Sequence, residues 1–274
     1  MIRIELRKYI QFILGAFNLR LVKQSNYQKF MVSEVSYAHH KRLSFFDDDN
    51  VNSDLIRYLR RNLEFSKAQL LQDLLAAYFS GERQGYFVEF GATDGIEFSN
   101  TYLLEKKFGW VGILAEPAQT WMKELKKNRS AHLSFECVFT ESGLTLDFQE
   151  SSTRTLSSLS QFTGQDLHAL QRQKGTMYKV RTVTLFDLLD QFDAPKYIDF
   201  LSIDTEGSEL QILEKFDFST YKFGFISIEH NHTENEIKID QLLLGFGYVR
   251  ILKNLSDFDG WYLSSSKHAE FFQK

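Results

Sequence analysis

From Tyr86 onward the chain repeats one rhythm: a short apolar run, a turn, then a stretch with helical spacing. YFVEF (86–90), VGILA (111–115), LSFECVF (133–139), YIDFLSI (197–203), FGFISIE (223–229) and YVRIL (248–252) read as strands, with WYL (261–263) as a final one. Runs this apolar suit strands covered on both faces. Helical stretches at 100–108, 117–128, 206–215 and 234–244 separate them. Pro117 suits a helix start, where its fixed φ and missing N–H do no harm. The alternation predicts an α/β fold, with a largely parallel sheet and helices on both faces.

Composition supports a packed domain. Hydrophobic residues make up 43% of the 274, and 26 Phe and 12 Tyr predict a strongly aromatic core. A net charge of −4 and a pI near 6.0 give no basic surplus for nucleic acid. The single cysteine, Cys137, cannot form an internal disulfide, which suits a reducing, cytoplasmic setting. Within LSFECVF it reads as a buried structural thiol.

Upstream, 66–79 carries Leu70, Leu71, Leu74, Leu75 and Tyr78 at helical spacing, closed by Gly81 and Gly85. Residues 1–65 form a helical and irregular extension to a main domain at 66–274. Within the extension, 24–53 is a polar connector whose acidic run, Asp47 to Asp49, reads as a solvated loop. Tyr9 to Leu19 is apolar for only 11 residues, short of the roughly 20 that cross a bilayer. Two readings of this segment stay open: a helix packed on its own domain or on a second copy in a homo-oligomer, or an amphipathic helix lying on a membrane surface. The Ser-, Thr- and Gln-rich stretch 151–178 lacks strand periodicity and reads either as a lid or acceptor-binding loop or as a surface excursion.

Ligands of open parallel sheets bind past the carboxyl ends of the strands. The first strand exits into Glu89-Phe90-Gly91-Ala92-Thr93-Asp94-Gly95. Gly91 and Gly95 allow close backbone approach. The turn is not GxGxxG, and Glu89 would repel a pyrophosphate while suiting an ammonium group. The second strand exits into Ala115-Glu116-Pro117, where a carboxylate can accept from ribose hydroxyls. The run Ser202-Ile203-Asp204-Thr205-Glu206-Gly207-Ser208-Glu209 places three acids after one strand, with Glu206 expected to open a helix and Glu209 to share its face. Glu229-His230-Asn231-His232 leaves the next strand. His230 titrates where a general base should, and Asp204 and Glu229 could hold a divalent ion such as Mg, with His230 as a third ligand. Each group also has an ordinary structural reading, as a helix cap, a dipole-facing charge or a buried histidine.

These residues resemble the FkbM family of methyltransferases. The resemblance lies in YFVEFGATDGIEFSNTYLLEKKFGWVGILAEPA (86–118), RTVTLFDLL (181–189), IDFLSIDTEGSELQIL (198–213), ISIEHN (226–231) and the GYVRIL and WYL segments, with LSSL (156–159) as a shorter match. It implies a seven-stranded Rossmann-like sheet with an antiparallel last strand, S-adenosylmethionine as donor, and O-methylation as the usual reaction, often on sugars. Glu89, Gly91, Ala92, Asp94 and Gly95 would then line the methionine end, Asn100 and Thr101 would start the next helix beside it, Glu116 and Pro117 would meet the ribose, and Asp204 would face the transfer point. Residues 1–65 carry none of this signature. The expected function is methyl transfer from S-adenosylmethionine to a carbohydrate hydroxyl, with His230, Asp204 and Glu229 as catalytic candidates. Two alternatives remain: an inactive nucleotide- or glycan-binding module of the same fold, and an NAD-linked sugar oxidoreductase, which the glycine turn disfavours.

Overall fold

A computed structural model describes residues 53–151, 157–159 and 175–272. The described residues fall in one compact unit, Phe45–Lys274. The proposed N-terminal helix, the acidic run at 47–49 and most of 151–178 lie outside them.

The apolar runs pair into a seven-stranded sheet. Its members are β1 (Tyr86–Phe90), β2 (Val111–Ala115), β3 (His132–Ser134), β8 (Tyr197–Ile203), β9 (Lys222–Glu229), β10 (Tyr248–Ile251) and β11 (Asp259–Ser264). Their spatial order is β10-β11-β9-β8-β1-β2-β3. β1, β2, β3, β8 and β9 run parallel, while β11 runs antiparallel between β9 and β10. The chain order reverses between β1 and β8, which is where such sheets open a crevice. All but the first residue of β8 is buried, as a strand covered on both faces requires.

The helices are α1 (Ser53–Asn62), α2 (Gln72–Phe79), α3 (Tyr102–Phe108), α4 (Met122–Asn128), α5 (Leu185–Gln191), α6 (Glu209–Lys215), α7 (Asn235–Gly245) and α8 (Ser265–Phe272). Local chemistry sets several ends. Thr184 Oγ1 accepts from Asp187 N at the start of α5, and Gly109, at φ 66°, closes α3 in a left-handed turn. α1 packs on α2 through the Tyr58 and Tyr78 rings, 5.3 Å apart. The core is aromatic as expected, with Phe200 stacked on Phe225 at 5.1 Å and Phe79 against Phe225 at 5.5 Å. Among the described residues no helix is long and apolar enough to cross a membrane.

Four expectations need correction. LSFECVF is not one strand. Ser134 ends β3 in the main sheet, and Cys137–Phe139 (β4) joins a second, four-stranded sheet of order β4-β7-β5-β6. The chain crosses at Phe135 and Glu136, so an unbroken apolar run hid a change of partner. That second sheet also uses β5 (Thr145–Glu150), β6 (Ser158–Leu159) and β7 (Thr176–Thr184), so part of 151–178 is strand rather than loop. The helix expected over 66–79 begins only at Gln72, because Leu71 sits at φ 71° and the Asp73 carboxylate holds Ser66 Oγ and the Lys67 and Ala68 N–H groups in a loop. Finally, α6 begins at Glu209, not Glu206. Glu206 lies in the preceding loop at φ 58°, so Glu206 and Glu209 do not share a helix face.

Candidate functional site

The carboxyl ends of β1, β2, β8 and β9 surround one cavity of about 280 Å³. Gly91 makes the convergence possible. It sits at φ 77°, and a Cβ there would lie 2.3 Å from the Asp204 carbonyl oxygen. The β1 turn can therefore cross directly against the β8 exit.

Glu89 lies at the cavity wall, buried, with its charge already answered. Its Oε1 accepts from Asn100 N at 2.7 Å, and its Oε2 accepts from Ser99 Oγ at 3.0 Å and Thr101 Oγ1 at 2.5 Å. Behind them Arg129, whose side chain is fully buried, approaches Glu89 Oε2 at 3.7 Å and donates to Glu105, Ser99, Thr101 and the Gly95 carbonyl. Glu89 thus shapes the turn that starts α3. Asn100 also lines the cavity. Its Nδ2 donates to Ser202 Oγ at 2.9 Å, while its buried Oδ1 has no partner among the described residues. An unsatisfied buried acceptor beside a carboxylate suits an ammonium donor.

Glu116 stands at the β2 exit. Its Oε2 accepts from Thr93 N at 2.9 Å and its Oε1 from Ala118 N at 2.8 Å. Burial pushes its carboxyl up to about 7, against those two N–H bonds, and Glu150 and Glu89 add repulsion. Each oxygen retains lone-pair capacity for a hydroxyl. Beside it, Pro117, Trp121, Val138, Phe148 and Leu159 form an apolar wall. The second sheet supplies the last three.

The third group sits at the β8 and β9 exits. Carboxylate oxygens of Asp204, Glu206 and Glu229 lie within 4.8 Å of one another. Asp204 is raised well above the ordinary carboxylate range by burial, then by the charges of Glu206 and Glu209, while a hydrogen bond from Glu229 opposes this. Glu229 is raised by burial, then by Asp204. Both remain open to the cavity. Glu209 turns away: its carboxylate accepts from Thr205 N and Oγ1 and from Gly207 N, stapling its own loop. Three hard oxygen donors in one cluster fit a divalent ion such as Mg.

His230 stands apart. Its side chain is 1% exposed, its Nδ1 accepts from His232 N at 3.1 Å, and its Nε2 lies 3.3 Å from Arg250 and 3.8 Å from Glu236. Burial lowers its pKa. It lines not the cavity above but a neighbouring pocket of about 450 Å³, which shares Glu206, Glu229 and Asn231 with it. Nor does it belong to the carboxylate cluster, where Glu206 supplies the third oxygen.

Of the residues expected at the donor, Glu89, Gly91, Asn100, Glu116, Pro117 and Asp204 line the cavity, but Ala92, Asp94, Gly95 and Thr101 do not. Asp94 Oδ1 instead accepts from the Ile96 and Glu97 N–H groups, and a Cβ on Gly95 would meet Arg129 Cγ at 2.5 Å. Sequence reasoning missed Thr93, Phe98, Phe148, Leu159 and Phe258 in the wall. Four lining residues, Thr93, Phe98, Glu206 and Asn231, hold φ between 46° and 60° without being glycine. Such conformations cluster at functional sites, and no sequence signal marks them.

The methyltransferase FkbM domain matches residues 89–261. No curated protein sequence matches the chain significantly. Similar solved structures include a methyltransferase FkbM from Methylobacillus flagellatus KT, at 13% identity and TM-score 0.40, covering 82% of this chain and 58% of that one. Another is a ribosomal protein L11 methylase from Lactobacillus delbrueckii subsp. bulgaricus, at 13% identity and TM-score 0.38, covering 70% and 74%. A third is a precorrin-6y C5,15-methyltransferase from Geobacter metallireducens GS-15, at 12% identity and TM-score 0.34, covering 69% and 85%. A match that takes in well over half the chain, laid on a seven-stranded sheet with one antiparallel strand, shows that this chain belongs to the FkbM methyltransferase family, a membership that implies S-adenosylmethionine as methyl donor.

Proposed function

We propose that this chain transfers a methyl group from S-adenosylmethionine to a hydroxyl oxygen of a carbohydrate, with the Asp204–Glu229 carboxyl pair as proton acceptor. One observation carries the reading: beside a cavity suited to the donor, carboxylates of Asp204, Glu206 and Glu229 converge within 4.8 Å.

The donor supplies a methyl group activated by a cationic sulfur. The chain's residues hold it and aim it. Asn100 Oδ1 and the turn shaped by Glu89 take the amino-acid end, Glu116 the ribose, and the wall of Trp121, Phe148 and Leu159 the base. Asp204 and Glu229 then do two things. Their charge favours the sulfonium, and their raised pKa values make them better bases than ordinary carboxylates. As the hydroxyl oxygen forms its bond to the methyl carbon, its proton passes to this pair, and the carbon–sulfur bond breaks to leave a neutral thioether. Most of the rate then comes from holding oxygen, carbon and sulfur in line.

We assign the base to the carboxyl pair rather than to His230. Nδ1 of His230 is committed to the His232 N–H, and its Nε2 faces the Arg250 guanidinium, which disfavours gaining a proton. A second reading has the same three carboxylates hold a divalent ion that lowers the hydroxyl's pKa. Its support is the all-oxygen donor set. Thorough chelation that leaves turnover unchanged would end it.

The test is transfer of labelled methyl from S-adenosylmethionine into an extracted glycan pool, followed by acid hydrolysis. Label in O-methyl sugars is the expected result. Label confined to nitrogen, carbon or protein side chains would overturn the reading.

A further inference from the structure

The second sheet reaches the cavity by a second route, through hydrogen bonds to the chain that leaves Glu116. A single 3-10 turn, Gln119–Trp121, follows Pro117 and Ala118 and leads into α4. Such a start leaves its first N–H groups without partners inside the helix. Ala118, just ahead of the turn, has no side-chain oxygen to offer them. Acceptors from elsewhere meet three successive N–H groups. Ala118 N donates to Glu116 Oε1 at 2.8 Å, Gln119 N to Tyr178 Oη at 2.9 Å, and Thr120 N to Glu150 Oε2 at 3.4 Å. Tyr178 stands on β7 and Glu150 on β5, 59 and 30 residues along the chain from the groups they hold.

The two acceptors act as one. The Tyr178 hydroxyl donates to Glu150 Oε2 at 2.5 Å while it accepts from Gln119 N. A hydroxyl that gives its proton to a carboxylate is a better acceptor in turn. The Tyr178 ring also backs the cavity wall: its centroid lies 5.6 Å from that of Phe148, and both pack with Trp121 around Ala118 and Cys137. The charge of the pair reaches Glu116 as well. Burial is the main cause of the raised Glu116 pKa, and Glu150 repels it more than Glu89 does. The titratable groups coupled to Glu116 are Glu89 on β1, Cys137 on β4, Glu150 on β5 and Tyr178 on β7.

We propose that Tyr178 and Glu150 are positioning residues for the donor's nucleoside, holding the 118–121 turn so that Glu116 and Trp121 stay aligned on ribose and base. Neither lines the cavity, and both act through the turn. The proposal rests on the donor placement given above and not on the acceptor. It has two consequences. Without the Tyr178 hydroxyl the turn loses the acceptor for Gln119 N. Without the Glu150 charge, Glu116 keeps its own charge to lower pH.

Calorimetric titration of the full chain with S-adenosylhomocysteine, repeated on both sides of neutral pH, tests both. Tyr178→Phe keeps the ring and removes the hydroxyl, so affinity should fall roughly 3- to 30-fold at every pH. Glu150→Gln keeps an acceptor for Thr120 N and removes the charge. The pH at which affinity declines, about 7 in the unmodified chain, should therefore move down by about half a unit or more. Loss of a merely structural contact would leave that pH where it was. Full affinity in Tyr178→Phe, or an unmoved pH in Glu150→Gln, would overturn the proposal. Should Tyr178→Phe fail to fold, as read by denaturant unfolding, the shift in Glu150→Gln decides alone. If the unmodified chain does not bind S-adenosylhomocysteine, or binds it with no pH dependence near neutrality, the donor placement falls and takes this proposal with it. If it binds with that dependence and the variants do not respond, only the positioning role falls.

Discussion

Two acid sites face one cavity, and the protein treats them oppositely. At the β1 exit, Glu89 is neutralised from within: three donors of the 99–101 loop reach its oxygens, and a fully buried Arg129 stands 3.7 Å away. At the β8 and β9 exits, Asp204 and Glu229 crowd Glu206, and burial plus mutual repulsion raises both. Burying like charges close together is costly. Carboxyls perturbed in this way cluster at functional sites. The compensated acid therefore organises the backbone, and the crowded acids are the ones we propose for the chemistry.

This contrast predicts opposite outcomes for mutation at the two ends. The largest effect should be on turnover. Asp204→Asn keeps size and removes charge, so transfer from labelled donor should fall roughly 10²- to 10⁴-fold. Thermal stability should hold or rise, because one repelling charge is gone. A loss under tenfold with donor binding intact would remove Asp204 from the reaction. The same criterion applied to His230→Ala should show the small loss of a structural residue, while a drop of a hundredfold would restore it as the base.

Next in size is a stability effect at the other end. Arg129→Met leaves Glu89 buried without its counter-charge and Glu105 with Lys106 alone, which should cost about 3–5 kcal/mol in denaturant unfolding. If stability is unchanged, Glu89 does not depend on its counter-charge and the comparison fails.

Glu116 lies between the two extremes, with two N–H donors and, among the described residues, no cation beside it. Glu116→Gln should weaken S-adenosylhomocysteine about tenfold or more, the scale of a hydrogen bond to a charged acceptor, as read by calorimetry. The smallest effect is its pH dependence. Glu116 sits near 7 in the ligand-free protein, above its usual range, so its carboxyl is protonated below that pH. Ribose hydroxyls prefer the ionised form. Affinity should therefore fall as pH drops through 7, by at most about tenfold per unit, with proton release on binding below it. The sign for stability is opposite. A raised folded-state pKa stabilises the ligand-free fold at low pH, and that contribution is lost as pH rises from the ordinary carboxylate range toward 7. A pH-independent affinity would show that Glu116 does not meet the ribose.

Much of this was legible in the chain. Six of the seven main-sheet strands were bounded to within about two residues by apolar runs, since a strand buried on both faces has no polar alternation to confuse. The acids at each strand exit could be named, because the sheet's direction fixes which end carries ligands. The second sheet could not be read. β5 and β7 are half-exposed, with few apolar residues, and their pairing joins positions about thirty residues apart. Its contribution to the cavity, Val138, Phe148 and Leu159, was hidden for the same reason.

The sequence alone determined the fold class, the order of the strands along the chain and the residue types at each exit, because periodicity and composition are local properties. The tertiary structure decided which of those acids meets Arg129 and which crowd one another. Whether Glu89 meets Arg129, or whether Glu206 rather than His230 joins Asp204 and Glu229, depends on the crossing at Gly91 and the left-handed turn at Glu206. Distance and desolvation set the state of a carboxyl, and both come from contacts between segments that the linear chain keeps far apart.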